Sequence, residues 1–161
     1  MDEDELATWR AFLDAHAVLI QRVEQDLKAH GLPPLSWYDV LWPLQRAEGK
    51  RLRINELAEQ VVLSRTGLVR LVDRIESAGL LRRESVPEDG RGSYAVITPE
   101  GTATLRRIWP VYRRHIQRDF LDPLGSDRTR LRRALERIAE KSTPDSKGSS
   151  GSLPMRTAPG S

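Results

Sequence analysis

The fold is decided by a stretch that reads SRTGLVRLVDRIESAG and spans residues 64–79. Ser64 is a typical helix N-cap, and Gly79 supplies a C-terminal stop because glycine adopts the left-handed backbone conformation cheaply. Between them, apolar residues recur at helical spacing, which predicts one buried face. These residues are Leu68, Leu71, Val72 and Ile75. The stretch therefore predicts a helix from Ser64 to about Ala78 whose other face points outward.

The outward face of this helix is polar and mostly basic. Its members are Arg65, Thr66, Val69, Arg70, Asp73 and Arg74. One interpretation is an ordinary solvated helix in which Asp73 and Glu76 pair with Arg70 at i+3 or with neighbouring arginines. The other is a helix that enters the DNA major groove, where an arginine can bind guanine O6 and N7. In that case the N-terminal half meets base edges and Arg74 meets phosphate.

A short helix is predicted immediately before this stretch. Asn55 is the expected cap of a helix that carries Leu57, Ala58 and Val61, and residues 51–53 are a candidate short strand. Two helices joined by a polar turn allow the second one to protrude into a major groove. The segment from 51 to 79 therefore favours a helix-turn-helix.

A β-hairpin is predicted directly after it. Residues 80–86 and 93–97 have strand character, and the Asp89-Gly90 step between them is a strong hairpin signal. Arg91 at the tip suits the negative potential of a narrow minor groove, although it could also be a plain exposed turn residue. Helix, helix and hairpin in this order predict a winged helix-turn-helix.

The first two helices are predicted on the N-terminal side. Apolar residues at helical spacing indicate a helix over roughly 4–29, which Gly31 and Pro33 terminate. A capping box at Ser36 is expected to open the second helix. Pro43 lies within that second pattern, so we expect a kink or a shorter helix there.

Two further helices are predicted on the C-terminal side. Thr98 is expected to cap the fifth helix, within which Pro110 suggests a bend. Ser126 is expected to cap the sixth. Residues 142–161 are rich in Ser, Gly and Pro, and a tail of this composition is expected to be disordered.

Composition narrows the function classes. The chain has no cysteine, and its three histidines, His16, His30 and His115, show no metal-ligand spacing. No nucleophile elbow or phosphate-binding loop is present, so no catalytic residue, cofactor or metal is expected. No apolar run is long enough to span a bilayer and no signal peptide is evident, so the expected location is the cytoplasm.

The motifs taken together resemble the MarR (multiple antibiotic resistance regulator) family. The resemblance covers about residues 5–140. It rests on the stretch from Ser64 to Leu81, on Asp89-Gly90-Arg91-Gly92 as the Asp-x-Arg wing motif, and on Ile97-Thr98-Pro99-Glu100-Gly101. The expected fold class is mainly α with a small β-wing, a dimeric winged helix-turn-helix of six helices plus a short antiparallel sheet.

The resemblance implies a domain plan and a homodimer. Residues 1–34 would form an N-terminal dimerisation helix, residues 35–98 the DNA-binding lobe and residues 99–141 the C-terminal dimerisation helices. The apolar stripes on the first, fifth and sixth helices independently suggest a dimer, although part of each stripe can be intramolecular core. By the match, Arg91 would enter the minor groove, while Asp89 would steady the wing arginine and the region of Arg74.

The resemblance also implies a region where relatives bind small aromatic or acidic effectors. Here its candidate lining is His16, Trp37, Tyr38, Trp42, Trp109 and Tyr112. Aromatic residues at helical spacing also suit an ordinary core, so both interpretations stay open.

The expected function is a DNA-binding transcription regulator that represses by occupying a pseudo-palindromic operator as a homodimer. Release by such an effector, and activation instead of repression, stay open. The expected DNA contacts are Ser64, Arg65, Thr66, Val69, Arg70, Arg74 and Arg91. The alternative is a winged-helix dimerisation or protein-interaction module without DNA binding.

Overall fold

A computed structural model of the chain describes residues 2–61, 65–85 and 92–141. The helices are α1 (Glu3–Ala29), α2 (Leu35–Arg46), α3 (Ile54–Gln60), α4 (Arg65–Ser77), α5 (Pro99–His115), α6 (Asp122–Leu124) and α7 (Arg128–Lys141). The strands are β1 (Arg51–Arg53), β2 (Leu81–Ser85) and β3 (Ser93–Ile97). This is the predicted mainly helical fold with a small β-wing.

The chain divides into two compact units. The winged unit is Ile20–Tyr112, and the terminal unit combines Met1–Leu19 with Arg113–Ser161. The divisions fall inside α1 and α5, whereas the sequence predicts boundaries after residues 34 and 98. The dimerisation and DNA-binding roles assigned to those ranges remain predictions. The predicted tail, residues 142–161, lies outside the described residues.

The three strands form one antiparallel sheet in the order β1-β3-β2. Arg53 and Glu84 both pair with Tyr94, while Arg51 and Arg82 both pair with Val96. Since side chains alternate along a strand, these residues share one face of the sheet. The other face carries Leu52, Leu81, Ala95 and Ile97, three of which are buried and one half-buried.

The hydrophobic core belongs to the winged unit. Leu27 of α1, Val40 of α2, Leu57 of α3 and Val72 of α4 are all fully buried. Leu105, Ile108 and Val111 of α5 join the same cluster. This common core fixes the positions of α4 and the sheet, the two elements that carry the predicted DNA contacts.

Two predicted helix caps of the winged unit are wrong. Helix α2 begins at Leu35 after Pro34, and no side chain caps it locally, so Ser36 does not open it. Instead Glu24 Oε1 of α1 accepts a hydrogen bond from the Leu35 N–H at 2.9 Å. Helix α3 begins at Ile54, and Glu56 Oε2 accepts the Arg53 N–H at 2.9 Å, so Asn55 is inside the helix rather than its cap.

The prolines do not shorten their helices. Pro43 lies inside α2, which runs to Arg46, and Pro110 lies inside α5, which runs to His115. A proline removes one backbone donor, and tertiary packing compensates for this loss where the helix is anchored in a core. Leu44 and Val111, the residues that follow the two prolines, are both buried.

The connection from α4 to α5 is closely packed. Gly79 has φ +76°, its N–H donates to the Glu76 carbonyl at 2.8 Å, and the Leu80 N–H donates to the Ile75 carbonyl at 3.1 Å. This pair of bonds is a Schellman C-cap. It confirms the helix stop that is predicted at Gly79. Thr98 Oγ1 accepts the Gly101 N–H at 3.0 Å and donates to the Gly79 carbonyl at 2.7 Å, so the predicted α5 cap also ties the two helix ends together.

The terminal unit is helical but differs from the predicted pair of helices. A π-helical segment, Ile116–Leu121, follows α5, and a 3₁₀ turn, Gly125–Asp127, separates α6 from α7. The last helix therefore begins at Arg128, and Ser126 does not cap it. No helix in the part of the chain that the structure describes is long and apolar enough to cross a membrane.

Candidate nucleic-acid interface

Helix α4 has the two faces that its sequence predicts. Leu68, Leu71, Val72 and Ile75 are buried in the core of the winged unit. Thr66, Val69, Arg70, Asp73 and Arg74 are exposed on the opposite face. The structure therefore presents the arginine side of the helix to solvent.

The carboxylates of α4 are bound by an arginine that the sequence analysis did not identify. Arg83 Nη2 of β2 lies 2.6 Å from Asp73 Oδ1, and Arg83 Nη1 forms a close ion pair with Glu76 Oε2. The Arg83 backbone N–H also donates to Glu76 Oε1 at 2.8 Å. A single residue thus joins the outer edge of α4 to the first wing strand by three hydrogen bonds.

The ion pairs of this junction keep the Arg83 guanidinium charged. Burial alone would lower the pKa of the Arg83 guanidinium, but the hydrogen bonds to Asp73 and Glu76 outweigh it and raise that pKa above its ordinary value. Arg83 is therefore permanently charged and occupies both carboxylates. Within the described residues, Arg70 and Arg74 form no ion pair. The two carboxylates of α4 pair with a neighbouring arginine, as one part of the alternative interpretation predicts, and not with Arg70.

The outward face of the sheet carries a second basic group. The guanidinium carbon of Arg51 lies 4.6 Å from the centre of the Tyr94 ring, and that of Arg53 lies 5.5 Å from it. Glu84 forms a close ion pair with Arg82 and lies 3.6 Å from Arg51. Two arginines therefore lie over a half-buried tyrosine, and a third shares the carboxylate of Glu84.

Some of the predicted residues lie outside the described part of the chain. These are the predicted DNA contacts Ser64 and Arg91 and the predicted wing support Asp89. Arg65 is the first residue of α4, but its side chain is not described. Of the seven predicted DNA-contact residues, the structure therefore places the side chains of Thr66, Val69, Arg70 and Arg74, and it brings all four to one exposed face.

The predicted effector residues separate into two groups. In the winged unit, the Tyr38 ring lies 5.8 Å from Trp42, 6.4 Å from Trp109 and 5.4 Å from Tyr112. Tyr38 and Trp42 are buried members of the core, as the alternative interpretation predicts. Trp37 packs against the same core, and its buried indole Nε1 has no hydrogen-bond acceptor among the described residues. His16 belongs to the terminal unit, where its ring lies 6.5 Å from that of Phe12.

The terminal unit contains a buried polar pair. His115 Nδ1 lies 2.6 Å from Asp119 Oδ2, and both side chains are buried. Arg118 is exposed and donates to both carboxylate oxygens of Asp119, at 2.7 and 2.9 Å. The hydrogen bonds from Arg118 and His115 hold the pKa of Asp119 well below its usual range. No group of three or more potential metal ligands lies close together in the described parts of the chain.

Comparison with known proteins finds transcriptional regulators. A family model described as MarR family matches residues 30–92. The transcriptional repressor IacR of Pseudomonas putida is 31% identical over 121 residues, which cover 75% of this chain and 71% of that protein. A transcriptional regulator of Bacillus subtilis, YkoM, is 26% identical over 118 residues, or 73% of this chain and 75% of the relative.

Two solved structures from Streptomyces coelicolor extend the likeness to both units. The MarR family regulator AbsC has 35% identity and a TM-score of 0.81, with 88% of this chain and 95% of that chain covered. The MarR family regulator Sco3205, solved in complex with DNA, has 30% identity and a TM-score of 0.84, with 89% of this chain and 94% of that chain covered. The likeness therefore includes most of the terminal helices as well as the winged unit.

Proposed function

Since the chain belongs to the MarR family of transcriptional regulators, we propose that it binds duplex DNA through the outer face of α4 and represses transcription by occupying its operator. The observation that carries this proposal is the exposed arginine face of α4, whose neighbouring carboxylates are both bound by Arg83. A phosphate or a base edge that approaches Arg70 or Arg74 then competes with no ion-pair partner among the described residues. The chain acts by binding rather than by catalysis, in the cytoplasm.

The contacts follow from positions on the helix. Arg70, Thr66 and Val69 lie in the N-terminal half and face outward, so they meet base edges in the major groove. Arg70 suits guanine, whose O6 and N7 accept two hydrogen bonds from one guanidinium. Arg74 lies one turn further along and meets the phosphate backbone. Ser64 and Arg65, at the start of the helix, belong to the same contact.

The wing completes each half-site. Strands β2 and β3 lead into residues 86–91, and Arg91 on this connection enters the minor groove. Asp89 on the same connection steadies the wing arginine. Arg83 already links β2 to α4, which supports a fixed spacing between the major-groove and minor-groove contacts.

Dimer formation is supported by the terminal unit. No apolar side chain of residues 2–19 or 113–140 is buried. Large apolar side chains of this unit are instead exposed, namely Trp9, Phe12, Leu13, Val18, Phe120, Leu135 and Ile138. Large apolar side chains exposed in this number are typical of an interface with a second chain. A second copy covers them and places two winged units on a pseudo-palindrome.

The oligomeric state is directly measurable. Light scattering is expected to give twice the chain mass of 18.3 kDa. A double variant, Trp9→Glu with Ile138→Glu, is expected to shift the mass toward one chain because it places charge in the interface. A wild-type mass of one chain at micromolar concentration would contradict the dimer.

The alternative function is an interaction module without DNA binding. Enrichment of duplexes by the chain, followed by titration at several salt concentrations, distinguishes it from a DNA-binding regulator. Duplexes enriched by the full chain from sheared genomic DNA are titrated at several salt concentrations. Each neutralised phosphate contributes about −0.9 to the slope of log K against log salt, so about ten contacts give a slope near −9. Failure to enrich any sequence would favour the interaction module.

A second proposal concerns a small-molecule effector that releases the DNA. It is favoured by the buried Trp37 Nε1, which has no acceptor among the described residues, because a buried N–H without an acceptor costs about 1–3 kcal/mol. An aromatic acid or phenol supplies the missing acceptor. Fluorescence titration with such compounds, combined with release of the enriched duplex, tests this; Trp37→Phe is expected to abolish the response.

A further inference from the structure

We propose that α7 is the docking site for the first part of α1 of a second copy, and that opposite charges on these two segments make the chain select another copy of itself as its partner. The first part of α1, called here the acidic arm, is residues 2–19. The inference rests on the dimer of the proposed function. It adds which segments meet and what excludes a wrong partner.

The terminal unit is divided into two segments of opposite charge. The acidic arm contains five carboxylate side chains and one arginine. Residues 113–141 contain nine arginine and lysine side chains and five carboxylates. With the histidines neutral, the two net charges are −4 and +4. The segments are therefore complementary in sign and in size, and they attract each other.

Most carboxylates of residues 113–141 are bound within that segment. Arg133 and Arg137 of α7 nevertheless form no ion pair within the part of the chain that the structure describes. The surplus positive charge of the segment therefore includes these two arginines. The carboxylates that do form ion pairs with arginines of the same segment, at 2.7, 3.8, 3.9 and 3.0 Å, are Asp119, Asp122, Asp127 and Glu136.

One side of α7 carries an arginine stripe. It consists of Arg130, Arg133 and Arg137, which are spaced at i, i+3 and i+7 and are all exposed. Like charges at this spacing repel one another and destabilise an isolated helix. Two carboxylates flank the stripe, Asp127 at 3.9 Å from Arg130 and Glu140 three residues after Arg137. Three arginines against two carboxylates leave a positive surplus, which a partner of opposite charge neutralises.

The same helix exposes an apolar face next to the arginine stripe. Ile138 is 63% exposed and Leu135 is 36% exposed. Together with the half-buried Leu131 they recur at i, i+4 and i+7, the spacing of one helix face. A partner that covers this face and neutralises the stripe is a helix that combines large apolar side chains with carboxylates.

The acidic arm is such a helix. Trp9 and Phe12 are exposed on it, with their rings 5.8 Å apart. Its first turn is acidic, and Glu3 and Asp4 form no ion pair among the described residues. The helix dipole favours acidic groups at this end and accounts for part of the pattern. The dipole does not account for α7, where Arg130 lies in the first turn and is disfavoured by it.

A second copy is the partner that satisfies both segments. In a symmetric dimer each copy contributes one acidic arm and one arginine stripe, so the contact occurs twice. Regulators of this fold occur together in one organism, as the two Streptomyces coelicolor structures show. Apolar faces alone do not separate such chains, whereas like charges brought together across an interface exclude the wrong partner. The charge pattern therefore restricts the chain to homodimers.

Charge reversal tests the contact in the full chain. One variant carries Glu3→Lys and Asp4→Lys, and the other carries Arg133→Glu and Arg137→Glu. The homodimer of either variant places like charges against each other, whereas the heterodimer of the two variants has opposite charges at both contacts. The two variants are co-expressed in equal amounts, and native mass spectrometry measures the fraction of heterodimer.

The heterodimer fraction decides the outcome. Random pairing gives about half heterodimer, and the two variants are expected to exceed about 90% because each homodimer is disfavoured by like charges. The control pairs the acidic-arm variant with Lys28→Glu and Lys50→Glu, two exposed lysines of the winged unit, and is expected to stay near half. A test pair that also stays near half would overturn the inference. This result includes charge pairing within one chain, which mixing of variants does not restore.

A wild-type measurement decides the case in which a variant fails to fold. Two isotope-labelled populations of the wild-type dimer are mixed, and their subunit exchange is followed by mass. The exchange rate is expected to rise about tenfold between about 50 and 500 mM sodium chloride, because salt screens ion pairs and does not weaken apolar contacts. A rate that does not rise contradicts the ionic contact. A wild-type mass of one chain would instead contradict the dimer of the proposed function.

Discussion

Arg83 and Asp73 form an ion pair across the junction of the wing and helix α4, with Nη2 and Oδ1 2.6 Å apart. The same guanidinium also binds Glu76. This arrangement decides which charges of α4 face outward. Because Arg83 binds both carboxylates of α4, Arg70 and Arg74 form no ion pair among the described residues, and we expect them to contact DNA.

Arg83→Gln is expected to reduce both stability and DNA affinity. The change removes charge-assisted hydrogen bonds of a half-buried guanidinium to the half-buried Glu76 and the exposed Asp73, which corresponds to about 1–2 kcal/mol in chemical denaturation. It also leaves Asp73 to attract Arg70, three positions earlier on α4, and leaves both carboxylates to repel phosphate. Arg82→Gln, on the same strand but with a more exposed side chain (57% against 30% for Arg83), is the control for stability and is expected to cost less than about 0.5 kcal/mol. Equal effects of the two substitutions would contradict the junction.

Arg70→Gln is expected to weaken DNA binding with a change in sequence preference. A bidentate contact to guanine contributes about 1–3 kcal/mol, which corresponds to a loss of roughly 5- to 150-fold for the preferred duplex. Competition among single-base variants of that duplex is the measurement. Arg107→Gln, an exposed arginine on α5, is the control. A uniform loss across all base variants would indicate that Arg70 meets phosphate instead.

Val69 is expected to contact the methyl group of a thymine. It is a large apolar side chain, 40% exposed, on the outer face of α4, and burial within the chain does not account for it. Val69→Ala is expected to retain full stability, since alanine favours helices, and to lose affinity for the enriched duplex. Replacing each thymine in turn by uracil removes only the methyl group. One such replacement is expected to weaken the wild type and leave Val69→Ala unaffected; if no thymine shows this coupling, the contact is absent.

Gly101→Ala provides a test of the packing between α5 and the sheet. A Cβ at this position would lie 2.1 Å from the Leu80 carbonyl oxygen and 2.7 Å from Ile97 Cγ1. Helix propensity alone predicts stabilisation by about 1 kcal/mol, whereas the clash predicts a loss of about 3 kcal/mol or more. The sign of the change in thermal unfolding therefore decides between them, and a more stable variant would refute the close approach.

Asp119 is expected to make the free energy of unfolding depend on pH in the acid range. Its pKa in the folded chain is lowered, first by Arg118 and then by His115, relative to about 3.9 in an unfolded chain. The resulting stabilisation is complete above about pH 4 and disappears as the pH falls toward the folded-state pKa. Asp119→Asn is therefore expected to unfold more easily than the wild type at pH 7, with a difference that shrinks below pH 4. A constant difference across this range would exclude the carboxylate as its source.

Local signals predicted the winged unit well. The period of the apolar residues in α4, the stop at Gly79 and the cap at Thr98 depend on neighbouring residues, and the structure confirms each. The wrong caps are instructive. Leu35 is capped by Glu24, a residue 11 positions away, and no local pattern at Ser36 contains that information.

The ion pairs of Arg83 were missed for a related reason. Its position on β2 two residues after the buried Leu81 places both side chains on the core-facing side of the sheet. An arginine on that side requires a partner, and this alternation was an available signal. The identity of the partners nevertheless depended on the packing of β2 against α4, which the sequence pattern alone does not determine.

Crosslinking from α4 tests the central claim most directly. A photoreactive amino acid replaces Val69 in the full chain, and the crosslinked nucleotide of the enriched duplex is identified by sequencing; the same residue at Ala103, exposed on α5, is the control. The expected result is a crosslink from position 69 to bases inside the enriched sequence, and none to those bases from position 103. Crosslinking from position 103 to those bases with none from position 69 would contradict the assignment of α4 as the DNA-reading helix.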